Sequence, residues 1–169
     1  MSEDLHLGTG SKEEKYRVLA PQLAALLKGE QDGIANFANM AAALKETFSW
    51  LWVGFYFVKG DQLVLGPFQG PIACTRIKQG QGVCGSAWAR GETIVVDDVE
   101  KFPGHIACSS LSRSEIVVPF FEDDRVVGVL DADSTEMAHF DNTDQQYLEQ
   151  ILRLINPSWE FHRPGDRGA

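Results

Sequence analysis

The stretch from Glu115 to Asp133, "EIVVPFFEDDRVVGVLDAD", constrains the fold more than any other part of the chain. Two runs of Val, Phe and Leu joined by three acidic residues pack best as neighbouring antiparallel strands, because so short a link leaves no room for a crossover. A second pair, "LWVGFYFV" and "LVLGPFQG", is joined by the turn "KGDQ" and predicts another hairpin. "TIVVDDV" adds a further strand.

Helices flank this β-rich middle. Ser11 and Glu14 have capping-box spacing, and the apolar residues that follow predict a helix up to Pro21. There the helix is expected to kink or to give way to a second, "PQLAALLKGE", closed by Gly29. The Ala- and Leu-rich run Gly33 to Phe48 predicts a packing helix, and "GQGVCGSAWARGE" a Gly-rich turn into a short helix ending at Gly91. Asn142 and Thr143 precede a closing amphipathic helix, "DQQYLEQILRLI". Helices, about six strands mostly in hairpins and a last helix define an α+β fold, a central antiparallel sheet with helices packed on it. The chain of 169 residues fits one domain over residues 1–155, with 156–169 as a loosely held tail.

Composition narrows the function. A net charge of -9 argues against a nucleic-acid partner, which would need clustered Lys and Arg. No apolar run approaches the roughly 20 residues that span a bilayer, so no membrane role is expected. The N-terminus lacks the apolar stretch of a signal peptide, which makes the cytoplasm the expected location. Three cysteines with irregular spacing do not form a secreted disulfide framework.

Side chains alternate along a strand, so Val127, Val129, Asp131 and Asp133 are expected on one face and Val126, Gly128, Leu130 and Ala132 on the other. If Glu122 to Asp124 form a three-residue loop, Phe121 faces Arg125 and Glu115 stands opposite Asp131. A two-residue loop would turn Glu115 away. Trp52, Gly54 and Tyr56 likewise share a face, which would set an aromatic wall near the acids. Strand-end aspartates often do no more than cap a turn. Clustered carboxylates can also hold a cationic group, and their mutual repulsion can keep one of them protonated.

Cys108 lies in the polar loop "PGHIACSSLSRSE", with His105 before it and Arg113 after it. That is the setting of a reactive thiol, and a second cysteine brought close would resolve its oxidised form as a disulfide. Cys84, beside Val83, also reads as a buried filler. Cys74, Cys84, Cys108 and His105 lack CxxC or short His spacing, so no metal site is expected. Gly80, Gly82 and Gly85 are not followed by the Lys-Ser/Thr of a phosphate loop, and His105 and His139 lack triad partners.

The segments "LWVGFYF", "GPFQGPIACTRIKQGQGVCGSAW", "TIVVDDVEKFPGHIACSSLSRSEIVVPFF" and "GVLDADSTEMAHFDNTDQQYLE" together resemble the free methionine-(R)-sulfoxide reductases, which are single GAF domains. The resemblance spans roughly Ser11 to Ile155. It implies a thiol enzyme that reduces the R-sulfoxide of free methionine, with no metal or organic cofactor and a thioredoxin-type reductant as partner. It also implies Cys108 as the nucleophile, Cys74 or Cys84 as resolving thiols with Cys74 first, and Glu115, Asp131, Asp133, Trp52 and Tyr56 as the substrate pocket. A homodimer is expected by the same likeness. The competing expectations are a small-molecule sensor on the same fold, in which the thiols are incidental, and a zinc-binding interaction protein.

Overall fold

Helix α1 (Lys12–Leu26) begins at the capping box: the Glu14 N–H donates to Ser11 Oγ (3.2 Å) and the Ser11 N–H donates to Glu14 Oε2 (2.6 Å). The computed structural model describes residues 4–106, 109–156 and Trp159. Within it α1 runs on through Pro21 as one helix and does not give way to a second. Pro21 lies on the exposed side, where water can satisfy the carbonyl that its missing N–H leaves free. Helix α2 (Gly33–Phe48) spans the predicted residues and is capped by Asp32, whose carboxylate accepts from the Ala35 N–H.

Strands β1 (Trp52–Lys59), β2 (Gln62–Gln69) and β3 (Arg76–Lys78) come next, then helix α3 (Gly82–Arg90) and strand β4 (Ile94–Val96). After a loop come β5 (Ser114–Glu122), β6 (Arg125–Ser134) and helix α4 (Asn142–Leu152). The cap of α4 is Asp141, just ahead of the predicted Asn142 and Thr143. The strands form a single sheet in the order β3-β2-β1-β6-β5-β4, with every neighbouring pair antiparallel.

Alternation along the strands divides the core in two. Val53, Phe55, Ile116, Val118, Leu130 and Ala132 pack with Tyr16 and Leu23 of α1, Phe37 and Met40 of α2 and Leu148 of α4. Trp52, Tyr56, Val117 and Val129 point to the other face and pack with Val83, Cys84 and Ala87 of α3. Burying a side chain of this size contributes about 1.5–3 kcal/mol, so both faces are sealed and only the polar side chains among them need another explanation. At the far side α1 and α4 are tied through Asp144, which accepts from Tyr16 Oη (2.8 Å) and Lys12 Nζ (2.5 Å).

The acidic hairpin differs in detail from the expected one. It turns on two residues, Asp123 and Asp124, both with positive φ (48° and 60°), so Glu122 pairs with Arg125 and Phe121 with Val126. A bulge between Phe120 and Phe121 then shifts the register by one more residue. Glu115 is therefore opposite Asp133, and Asp131 faces Val117. The bulge restores the parity that the shorter turn would have lost, and Glu115 stays on the acid face. Its second effect is on Val127, which packs with the helix-side core instead of beside Val129. Trp159, in the segment read as a tail, is buried and meets Phe37 edge-on at 5.7 Å.

Candidate active site

Sheet register assembles the acidic cluster. Across β1, β6 and β5 one row reads Trp52, Asp133, Glu115, and the row two residues along reads Gly54, Asp131, Val117. Glu115 and Asp131 are buried among apolar neighbours, and Asp133 is half-buried. Together with Trp52, Tyr56, Cys84 and His105 they line one pocket, to which Pro71, Ile72, Ile106 and Ser109 also contribute.

The aromatic wall depends on a glycine. A Cβ at Gly54 would lie 2.6 Å from the Trp52 ring and 2.3 Å from Phe68 Cβ, so only glycine lets the indole lie over the strand and stack on Phe68 (ring centroids 5.3 Å apart). Trp52 Nε1 donates to the Pro71 carbonyl (3.1 Å), and Tyr56 Oη donates to the Cys74 carbonyl (2.9 Å). Both rings thereby hold the loop that carries Cys74.

Burial pushes the Glu115 carboxyl well above its ordinary range, helped by the charges of Asp131 and Asp133. Burial and Asp133 push Asp131 up as well, opposed by hydrogen bonds from Cys84 and Glu115. Glu115 and Asp131 are coupled and both are held above their ordinary range, so the pair retains a proton. Asp133 is pushed up to about 6 by burial, against the hydrogen bond that Ser112 Oγ donates to its Oδ1 (2.5 Å). Burial and then Asp131 also raise Tyr56. His105 Nε2 is 3.9 Å from Glu115 Oε2, yet burial lowers the imidazole, so the contact joins two neutral groups.

The three thiols differ. Cys74 is disulfide-bonded, and Cys84 is a free, buried thiol. Cys84 sits in the first turn of α3, where a helix N-terminus favours a thiolate. Burial and the charges of Asp131 and Glu115 prevail and push it up. A close approach brings α3 there: a Cβ on Gly85 would lie 2.4 Å from the Lys78 carbonyl oxygen. Cys108 lies outside the described residues. Ile106 and Ser109, the nearest described residues on either side of it in the chain, both line the pocket.

Of the residues singled out in the sequence, Trp52, Tyr56, Cys84, Glu115, Asp131 and Asp133 thus meet at one pocket, and Cys74 is fastened to its aromatic wall. Arg113, read as a basic neighbour of Cys108, instead pairs with Glu100 at 2.9 Å and is not among the pocket residues. Ser112 was not singled out, and His105 was read as a neighbour of Cys108 whose spacing supports neither a metal site nor a triad. His139 contacts Glu136 (3.1 Å) away from the pocket.

A six-stranded antiparallel sheet with helices on one face and a side-chain-lined pocket on the other is the architecture of a ligand-binding GAF domain, and residues 37–156 match the model of that family, described as GAF domain. GAF domain-containing protein A of Dictyostelium discoideum is 59% identical over 157 residues, covering 92% of this chain and 99% of that protein. Free methionine-R-sulfoxide reductase of Escherichia coli is 46% identical over 146 residues, covering 86% and 88%. The X-ray structure of free methionine-R-sulfoxide reductase from Neisseria meningitidis in complex with its substrate superposes with a TM-score of 0.89 at 56% identity, covering 90% and 93%. The chain belongs to the free methionine-R-sulfoxide reductase family of GAF domains.

Proposed function

We propose that the protein reduces the R-sulfoxide of free L-methionine to methionine. The observation that carries this reading is the row of Trp52, Asp133 and Glu115 on three adjacent strands, with Asp131 one row away. An ammonium group fits carboxylates that have no Lys or Arg among the described pocket residues. A free amino acid presents that group; a methionine within a peptide does not. Trp52 and Tyr56 offer an apolar wall for the S-methyl end.

The chemistry follows from the same groups. The sulfoxide oxygen leaves sulfur only if protonated, and Glu115, neutral and beside Asp131, can supply the proton while Asp133 holds the ammonium. The Cys108 thiolate attacks the sulfur, and the transient S–S bond then breaks as the protonated oxygen passes to the Cys108 sulfur and methionine leaves. Substrate sulfur gains two electrons, and Cys108 becomes a sulfenic acid. Condensation with the Cys74 thiol releases water and leaves a disulfide. The disulfide at Cys74 beside a free Cys84 supports Cys74 as the resolving thiol and leaves Cys84 for a later exchange step. A thioredoxin-type dithiol would restore the enzyme by exchange.

This reading needs no resident metal or organic cofactor. It assigns catalysis to one GAF unit that takes in the expected residues 1–155 and also the buried Trp159, acting as a homodimer in the cytoplasm. Among the described residues no helix is long and apolar enough to cross a membrane. The test is consumption of racemic free methionine sulfoxide with excess dithiol, followed by chiral chromatography. The wild type should exhaust the R epimer and spare the S epimer, and Cys108→Ser should show no turnover. Undiminished turnover by Cys108→Ser would remove the mechanism.

A further inference from the structure

Neither the attack nor the first condensation uses Cys84, whose free thiol is buried at the pocket. Its Sγ, one oxygen of Glu115 and one of Asp131 all lie within 4.8 Å of one another, and all three residues are buried. Asp131 Oδ1, on a side chain 7% exposed that lines the pocket, meets no hydrogen-bond donor among the described residues beyond what the Cys84 thiol and the Glu115 carboxyl themselves offer to Asp131. Leaving a buried acceptor unmet is costly. An unmet carboxylate oxygen in a pocket without Lys or Arg calls for a cation. An ammonium group would meet the oxygens, but sulfur is a weak hydrogen-bond acceptor and adds little to such a site. A thiolate beside two carboxylates is instead a ligand set for a borderline-soft metal ion.

We propose that this corner of the pocket also binds a divalent cation of the zinc class through Cys84 Sγ, Glu115 and Asp131, and that the bound ion excludes the substrate. Tetrahedral zinc holds its ligand atoms about 3.5 Å apart, so the three donors need to close by little more than about 1 Å, within reach of side-chain rotation. His105 Nε2, 3.9 Å from Glu115 Oε2, can supply a fourth donor. On binding, the ion displaces the protons of the Cys84 thiol and the Glu115 carboxyl to solvent and occupies Glu115 and Asp131, beside the Asp133 carboxylate that would hold the ammonium. Exclusion of substrate rests on the function proposed above; binding of the ion does not.

The probe is Co²⁺, titrated into the oxidised full-length chain in thiol-free buffer and followed by its thiolate charge-transfer absorption. We expect saturation at one equivalent, displacement by Zn²⁺, and an apparent affinity that falls as free methionine sulfoxide is added. Cys84→Ser should abolish the band, and Glu115→Gln should weaken cobalt about tenfold or more, both with the circular dichroism of the wild type. No saturable band, a band that survives in Cys84→Ser, or simultaneous binding of cobalt and sulfoxide in protein that turns the sulfoxide over would overturn the proposal. A cobalt band that behaves as expected in protein that neither binds nor reduces the sulfoxide would instead overturn the proposed function and leave the ion site standing.

Discussion

Replacing Asp133 with Asn separates what the acidic cluster contributes to chemistry from what it costs the fold. Burial pushes this carboxyl from an ordinary 3.8 up to about 6, with Glu115 directly opposite and Asp131 two residues back. A carboxyl whose folded pKa lies above its unfolded value binds more protons in the native state, so stability is full below about pH 4 and falls until about pH 6. A shift of about two units, at about 1.4 kcal/mol each, removes about 3 kcal/mol by pH 7. The neutral amide escapes this loss, and the weakening of the charge-assisted bond from Ser112 to an ordinary one is already contained in the value of about 6.

The gain of about 3 kcal/mol corresponds to a Tm increase of about 6–12 °C at pH 7 for a chain of this length. At pH 4 most of the gain should be lost, because the aspartate is then neutral in the folded state and little more than half ionised in the unfolded chain. Activity should move the other way, falling by at least about tenfold, as expected for a site that holds unfavourable charge for function. Differential scanning calorimetry at both pH values is the assay. A Tm at pH 7 that does not rise, or a rise of equal size at pH 4, would refute the reasoning.

Three further outcomes are expected. Ser112→Ala removes the bond that holds Asp133 down, so KM for the sulfoxide should rise and the acid limb of the kcat/KM profile should move to higher pH, with Ser112→Thr restoring both; an unmoved limb would contradict the role of Ser112. Trp159→Ala should lower stability by about 3–5 kcal/mol, because the indole is buried against Phe37; an unchanged urea midpoint would return residue 159 to the tail. Glu115→Gln should lower kcat more than it raises KM, since the proposed proton donor acts in the transition state.

Much of this architecture was legible because its periodicities are strong. The Ala- and Leu-rich α2 and the two β-branched hairpins carry their own signals, and the face shared by Asp131 and Asp133 follows from alternation alone. Pairing was harder to read. A two-residue turn and a bulge each shift register by one, and Val126 and Val127 are both apolar, so no polarity change marks where the extra residue sits. Pro21 reads locally as a break, but its position on the exposed side of α1 is set by tertiary packing. Ser112 could not be found by spacing, because it reaches Asp133 across two strand ends that come together only in the sheet. The approach of Cys84 to Asp131 depends likewise on α3 docking over Lys78 through Gly85.

The central claim is that carboxylates of the pocket hold a free ammonium while a neighbouring protonated acid serves the sulfoxide. Comparing kcat/KM for free L-methionine-(R)-sulfoxide with that for its N-acetyl derivative tests it most directly, because the two differ at the nitrogen alone. The account predicts a preference for the free amino acid of at least about a hundredfold, since acetylation removes the charge and leaves buried carboxylates unpaired. Equal values for the two substrates would contradict it.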